Sequence, residues 1–394
     1  MKIIGIIAEY NPFHLGHLYQ INKIKEIYPD SIIIAIISTN FTQRGDISII
    51  NKWNKTKICL DNNIDIVLEL PYTYATQSAD IFANGSLKIL NSMNIDTLVF
   101  GTEKDNLNEL IELAKIQIDN KEYDNIVKNY LSKGINYPTA MSKALENISN
   151  IKIDKPNDLL ALSYIKEIIK NNYKITPISI KRTIDYHSSD IVNNITSASN
   201  IRTLIQENKD ITNYIPTYPI NYIENKLNLN KAYPYLKYSI IKNINSLDKY
   251  LTIEEGIENR IKKYIYECND WQSLVMKIKT KRYTYNKINR MLTHILLGYT
   301  KEENKEKDCY TRVLGFNQRG RKYLNSIKKQ TNIIYGYKKN LSNSLDIEFR
   351  STCIYALITN NTKLIDLEFK NKPIINDVFK AIFRALSTYP KDYE

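Results

Sequence analysis

Five short apolar runs restrict this chain more than any other feature of its sequence. Ile3-Ile4-Gly5-Ile6-Ile7-Ala8 is the first, and Ser31–Ser38, Asp65–Leu70, Asp96–Gly101 and Ile175–Arg182 follow. They are brief and rich in β-branched residues, and in the first three the apolar character is nearly continuous rather than alternating. That suits strands covered on both faces, as in a parallel sheet. Between them, apolar residues recur at helical spacing in Leu18–Ile24, about 52–62 and about 77–93. Strand and helix in alternation predict a Rossmann-like α/β domain built on a parallel sheet. Ligands of such sheets sit beyond the carboxyl ends of the strands, where the strand order reverses. A mostly helical insertion is expected at 106–148, and beyond about 215 the alternation stops and the rest reads as helices. The expected division is an α/β domain at 1–214 and a mainly helical domain at 215–394, with Pro216 and Pro219 near the boundary.

The first strand leads into Glu9-Tyr10-Asn11-Pro12-Phe13-His14-Leu15-Gly16-His17, and a helical pattern resumes at Leu18-Tyr19-Gln20. Two histidines therefore stand at a strand-to-helix turn, where free N–H groups and the helix dipole favour an anion. Gly16 lets a ligand come close to the main chain. Imidazoles donate hydrogen bonds to phosphate oxygens, and those bonds strengthen as charge builds in a transition state. With so few histidines and glycines in the chain, chance alone supplies roughly 0.001 His-x-Gly-His matches. The pattern resembles the signature of the HIGH-motif nucleotidyltransferase superfamily, whose members bind ATP, let a nucleophile attack its α-phosphate and release pyrophosphate.

A second phosphate cradle is expected at Thr196-Ser197-Ala198-Ser199-Asn200-Ile201-Arg202. It offers hydroxyl donors, helix N–H groups and one fixed positive charge. An ordinary Ser/Thr-capped helix has the same appearance, but the string also resembles the Arg-ending second motif of the superfamily. Arg182 closes the fifth strand, where a guanidinium can hold a phosphate or stack on adenine. Asn157 is a candidate N-cap for the helix at Leu159–Ile169, or a reader of the nucleotide. Asp185 and His187 lie in a polar stretch and are given no role.

The net charge of +13 favours a polyanionic partner such as nucleic acid. The chain is also rich in Ile, Asn, Lys and Tyr, as an AT-rich genome would make it, so the placement of the charge matters more. Met276–Arg290 carries Lys277, Lys279, Lys281, Arg282, Lys287 and Arg290 with no acid among them, and Tyr283 and Tyr285 are interleaved. Such side chains can neutralise phosphates while tyrosines stack on unpaired bases. Gln318-Arg319-Gly320-Arg321-Lys322 adds further basic residues. No run approaches the ~18 apolar residues of a membrane span, and a strand rather than a signal peptide opens the chain, so a cytoplasmic location is expected. Cys59, Cys268, Cys309 and Cys353 form no Cys-x-x-Cys pair, which suits reduced thiols rather than a disulfide frame or a zinc site.

Several stretches together resemble one family, that of the bacterial tRNA(Met) cytidine acetate ligases. They are Gly5–Gln20, Thr42–Gly45, Glu69-Leu70-Pro71 with Ala75–Ala79, Phe100–Glu103, Lys155–Asn157, Ser197–Arg202, Lys281–Thr284 and Arg312–Phe316. The resemblance implies an enzyme that forms N4-acetylcytidine at the wobble position of elongator tRNA(Met). Acetate would be activated with ATP to acetyl-adenylate, releasing pyrophosphate, and the acetyl group passed to the cytidine amine. It further implies an ATP site made by Ile7, Ala8, Glu9, Tyr10, Asn11, Pro12, Phe13, His14, Leu15, Gly16, His17, Leu18, Tyr19 and Gln20, with Gly101, Asn157 and Arg182. His14 and His17 would be its catalytic residues, with Ser197 and Arg202 beside them. Leu15 departs from the family, which has a polar residue there, often Asn. ATP would bring Mg2+ as its counter-ion, and no tightly bound cofactor, protein metal site or membrane partner is expected. Two rival readings remain: an adenylyltransferase acting on a small phosphorylated cofactor precursor, and a non-catalytic RNA-binding protein.

Overall fold

The computed structural model describes residues 1–104, 106–182, 195–224, 227–370 and 372–376. Asp185 and His187 lie outside the described residues. The α/β part runs β1 (Ile3–Ala8), α1 (Leu15–Ile27), β2 (Ile32–Ser38), α2 (Lys52–Asp61), β3 (Ile66–Leu70), α3 (Tyr72–Ala75), α4 (Ala79–Ser92) and β4 (Thr97–Thr102). Three helices then intervene, α5 (Leu107–Asp119), α6 (Tyr123–Ser132) and α7 (Tyr137–Ser149), before α8 (Pro156–Lys170), β5 (Thr176–Lys181) and α9 (Ala198–Gln206). The next stretch is helical: α10 (Leu229–Lys242), α11 (Ile257–Tyr264), α12 (Trp271–Ile278), α13 (Tyr285–Leu297) and α14 (Lys301–Lys305). The chain closes with β6 (Thr311–Asn317), α15 (Gln318–Ile327), β7 (Ile333–Ile334), α16 (Asn343–Thr359), α17 (Lys363–Lys370) and β8 (Ile374–Asn376).

One sheet runs in the order β5-β4-β1-β2-β3-β6-β7, with β8 also paired to β6. The first five strands are mutually parallel. From β1 the chain steps to β2 and β3 on one side, then returns to β4 and β5 on the other. The order therefore reverses between β1 and β4, and a crevice opens at their carboxyl ends. Successive residues point to opposite faces. Ile33, Ala35 and Ile37 join one core with Ile4, Ile6 and Phe13, while Ile32, Ile34 and Ile36 join the other with Leu68, Leu90 and Leu98.

Beyond residue 215 the described chain is mainly helical, as expected, and it also contributes three strands that the sequence did not reveal, β6, β7 and β8. β6 pairs antiparallel with β3, Ile66 opposite Phe316 and Val67 opposite Gly315. Arg312 disguises this strand in the sequence, because a charge in an apolar run reads as exposed. It is fully buried instead, within an ion cluster of Lys52 from α2, Glu69 from β3, Glu348 from α16 and Glu368 from α17. Lys52 Nζ lies 2.8 Å from Glu69, 2.9 Å from Glu368 and 3.3 Å from Glu348, and Arg312 Nη1 binds Glu69 at 3.3 Å and also Glu368. Glu348 additionally accepts from Thr39 Oγ1 (2.6 Å) and Tyr72 N (2.9 Å). The cluster fastens the C-terminal helices to the sheet.

A second junction joins the sheet to α13. The loop after β2 is pinched by a bridge between Phe41 and Ile47. At its tip Gly45 has φ 83°, and a Cβ there would lie 2.7 Å from the backbone of Asn289 and Arg290. Only glycine satisfies both the left-handed backbone and that contact. Thr293 Oγ1 donates to Gly45 O at 2.9 Å.

Candidate functional site

β1 hands over to α1 through a turn held from several sides. Tyr10 sits at φ 47°, and the Asn11–Pro12 bond is cis. Asn11 Oδ1 accepts from Ile49 N (2.8 Å), Asn11 O from Arg202 Nη1 (2.7 Å) and Phe13 O from Tyr218 Oη (2.9 Å). The Tyr10 and Phe13 rings pack at 4.7 Å and are buried. A turn braced in this way can maintain a left-handed non-glycine residue.

The two histidines cap α1 reciprocally. His14 Nδ1 accepts from Gly16 N at 3.0 Å, and His17 Nδ1 accepts from His14 N at 3.2 Å. Their ring centroids are 3.8 Å apart. Because each Nδ1 is an acceptor, each neutral ring carries its proton on Nε2 and offers an Nε2–H donor. Burial, then Arg182 and Arg202, pull His14 from its ordinary 6.5 down to about 3. Burial, His14 and Arg182 likewise hold His17 well below 6.5. Near neutrality the imidazoles are therefore uncharged donors, and the positive charge is supplied by arginines. A Cβ on Gly16 would lie 2.8 Å from the His14 ring, so this position admits no side chain without displacing an imidazole.

These buried histidines predict acid lability. Burial, followed by Arg290, also brings His294 of α13 to about 3. Between 6.5 and about 3 the unfolded chain binds protons at His14 and His294 that the folded chain refuses. Their contribution to stability is complete above 6.5 and is lost as pH falls, by up to about 1.4 kcal/mol per pH unit for each histidine. Burial raises Glu9, and it lifts Glu348 to about 7 against the pull of Lys52; both carboxyls offset part of this loss. A net decrease in the urea midpoint is expected from pH 6.5 to 5, and a midpoint that stays level would overturn it.

The cleft beside the turn is lined by His14, Gly16, His17, Tyr19, Gln20, Gly101, Ile180, Lys181, Arg182, Ile195, Thr196 and Ser197. The turn after β1 and the ends of β4 and β5 thus meet at the reversal of strand order. Ser197 lines the cleft and also caps α9, accepting from Asn200 N at 3.1 Å. Ile7, Ala8, Tyr10, Asn11, Pro12, Phe13, Leu15 and Leu18 shape the turn without lining the cleft, and Arg202 clamps the turn from behind.

Asn157 is placed differently from the sequence expectation. α8 begins at Pro156 with Lys155 as its cap, because proline is preset for the first helical position. Asn157 instead donates Nδ2 to Glu103 Oε1 at 2.6 Å. The Glu103 carboxylate also accepts from the backbone N of Asn157 and Asp158, and Asp158 Oδ1 accepts from Glu103 N at 2.8 Å. Glu103 thus serves the open helix end, and Asn157 is held just past the end of β4.

The basic segment divides. Lys277, Lys279, Lys281 and Arg282 are exposed around the α12–α13 connection. Acids distant in sequence approach two of them: Glu255 lies 3.3 Å from Arg282, and Glu267 lies 4.0 Å from Lys277. Tyr283 is no stacking platform, being buried with its hydroxyl on Glu254 O at 2.7 Å and Lys287 Nζ 4.2 Å from its ring centroid. Arg290 turns inward beside Arg44. Arg319 does not extend this face: it donates to Asp30 O and Ser31 O, at the amino ends of the strands. Sequence reasoning missed Lys55, whose ammonium donates to Glu9 O (2.8 Å), Ser38 O (2.8 Å) and Thr39 O (3.1 Å). It had no signal to find it, since a lysine in a helix reads as exposed. Among the described residues no three His, Cys, Asp or Glu gather as a metal site, and no helix is long and apolar enough to cross a membrane.

A parallel sheet with a His-x-Gly-His turn and an arginine across the crevice defines the class of HIGH nucleotidyl transferases, and that family matches residues 1–368. A Clostridium tetani protein named tRNA(Met) cytidine acetate ligase is 36% identical, over 95% of this chain and 100% of its own. One of the same name from Fusobacterium nucleatum is 38% identical, over 98% of this chain and 96% of its own. The crystal structure of Thermotoga maritima TmcAL bound with alpha-thio ATP is similar at TM-score 0.84 and 26% identity, covering 96% of this chain and 100% of that one. The chain belongs to the tRNA(Met) cytidine acetate ligase family.

Proposed function

We propose that the chain is a working ligase of this family, forming N4-acetylcytidine at the wobble position of elongator tRNA(Met). The observation that carries the reading is the pair of Nε2–H donors at the start of α1, facing a cleft that also holds Arg182. An acetate oxygen attacks the α-phosphorus of ATP, the bond to the β-phosphate breaks, and pyrophosphate leaves. His14 and His17 donate to phosphate oxygens as charge develops, with Arg182 supplying the countercharge and Arg202 holding the turn. Mg2+ accompanies ATP as its counter-ion. The cytidine amine then attacks the carbonyl of acetyl-adenylate and AMP leaves. A wobble base lies in a loop and can be splayed into a pocket without breaking a duplex.

In this reading residues 1–214 provide the ATP site, formed by Ile7–Gln20, Gly101, Asn157, Arg182, Ser197 and Arg202. Residues 215–394 provide the tRNA contacts, through Lys277, Lys279, Lys281, Arg282, Lys287 and Arg290, in a cytoplasmic enzyme. The test is mass spectrometry of nucleosides from bulk tRNA incubated with the protein, ATP and isotope-labelled acetate. Labelled N4-acetylcytidine is the expected result. Pyrophosphate exchange without label would point to another acceptor, such as a phosphorylated cofactor precursor. Neither signal from folded protein would leave an RNA-binding protein.

A further inference from the structure

The turn that presents the histidines is held by its carbonyl oxygens. Three of them, two residues apart, accept from side chains of three separate segments: Glu9 O from Lys55 Nζ of α2 at 2.8 Å, Asn11 O from Arg202 Nη1 of α9 at 2.7 Å, and Phe13 O from Tyr218 Oη at 2.9 Å. Backbone carbonyls outside a helix or ladder need such donors when they are buried. Phe13 O belongs to the residue directly before His14, and among the described residues no group but Tyr218 donates to it. The buried Phe13 ring packs against Tyr10 at 4.7 Å and His17 at 5.5 Å, and Tyr10 meets His17 edge-on at 4.7 Å. A shift of the Phe13 peptide therefore reaches both imidazoles, His14 through the chain and His17 through the ring contacts.

Tyr218 is presented from a fixed segment. It stands between Pro216 and Pro219, and the residue before a proline is confined to extended backbone. Ile215 and Ile223, on either side, are buried, and Tyr218 packs against the same core as Phe13. Glu224 N donates to Ile49 O at 2.7 Å, and Ile49 N donates to Asn11 Oδ1 at 2.8 Å. The segment thus meets the turn twice, once directly and once through Ile49. The residues that line the cleft all fall between His14 and Ser197, and Tyr218 is not one of them.

We propose that Tyr218 is a positioning residue for the imidazole pair: its hydroxyl fixes the Phe13 carbonyl, and thereby sets the direction of the Nε2–H donors of His14 and His17. This rests on the adenylation reading above. No bond or proton changes at Tyr218, which keeps its hydrogen throughout. The gain is geometric, since donors already in place need no reorganisation as charge builds on a phosphate. A side chain from beyond residue 215 thus completes a site whose lining comes from the α/β part of the chain.

The test compares Tyr218→Phe with Tyr323→Phe in the full chain, by acetate-dependent ATP–pyrophosphate exchange and by NMR of the histidine ring nitrogens. Tyr323 Oη likewise donates to one backbone carbonyl, Met93 O at 2.6 Å, but ahead of β4 and away from the turn. Tyr218→Phe is expected to lower kcat for exchange by about 10–100-fold while KM for ATP stays within about twofold, and to move the His14 and His17 nitrogen signals. Tyr323→Phe is expected to lower the denaturant midpoint comparably and to leave kcat and those signals alone, which separates positioning from loss of a buried hydrogen bond. An unchanged kcat in Tyr218→Phe, or an equal fall in both variants, would overturn the proposal. Unmoved histidine signals in Tyr218→Phe would overturn it too, even where the unsubstituted protein exchanges normally. An unsubstituted protein that exchanges no pyrophosphate would overturn the adenylation reading itself, and this proposal with it.

Discussion

Replacing His17 with alanine is expected to slow acetate-dependent ATP–pyrophosphate exchange by about 10²–10³-fold, the loss typical of one preorganised transition-state donor. The reason lies in the tautomer. His17 Nδ1 is occupied by His14 N, so the proton sits on Nε2, which leaves an Nε2–H donor on a ring that lines the cleft. His14→Ala is expected to lose at least as much, because His14 also caps Gly16 N at the start of α1. A lost cap costs about 1 kcal/mol of stability. His14→Asn separates the two effects: asparagine caps well, so stability returns while the exchange rate stays low. Exchange by His17→Ala within a few-fold of the unsubstituted protein would remove the histidines from the chemistry.

Lys52→Met is expected to destabilise the fold by about 3–5 kcal/mol, read from the denaturant midpoint at pH 7. The lysine stands among three buried carboxylates, with Arg312 as the second cation. Burial alone would raise Glu69, but Arg312 and then Lys52 more than offset it and hold this carboxyl at about 2. Glu348, lifted to about 7 by burial, is the group nearest to neutralising. Removing Lys52 leaves one cation for three carboxylates, and breaking a buried pair costs more than never having buried it. Glu348→Gln in the Lys52→Met background should therefore recover part of the loss. A double variant as unstable as the sum of the two singles would show that the cluster is not coupled in this way.

The candidate site was legible where its residues are local in sequence. His14, Gly16 and His17 occupy one turn, and strand, turn and helix follow without interruption, so residue types and periodicity sufficed. The pairing of Gly101 with that turn also followed, since both end strands that the alternation placed in parallel. Asn157 was misread as a cap because its true partner, Glu103, comes from a separate element. Tyr283 was misread as exposed because a tyrosine among lysines gives no sign that its hydroxyl is taken by Glu254 O.

The charged residues divide most clearly between the two sources of information. By itself the sequence determined the parallel α/β sheet, the strand-to-helix turn with its two histidines and the basic character of Met276–Arg290, because hydrophobic period, turn chemistry and charge are properties of neighbours along the chain. Only the tertiary structure decided that Lys52 and Arg312 are buried, that β6 returns to the sheet beside β3, and that the tip of the loop after β2 packs on α13 at Asn289 and Arg290. A charge is buried when its partners arrive from distant segments to offset desolvation, and no local pattern records which partners those will be.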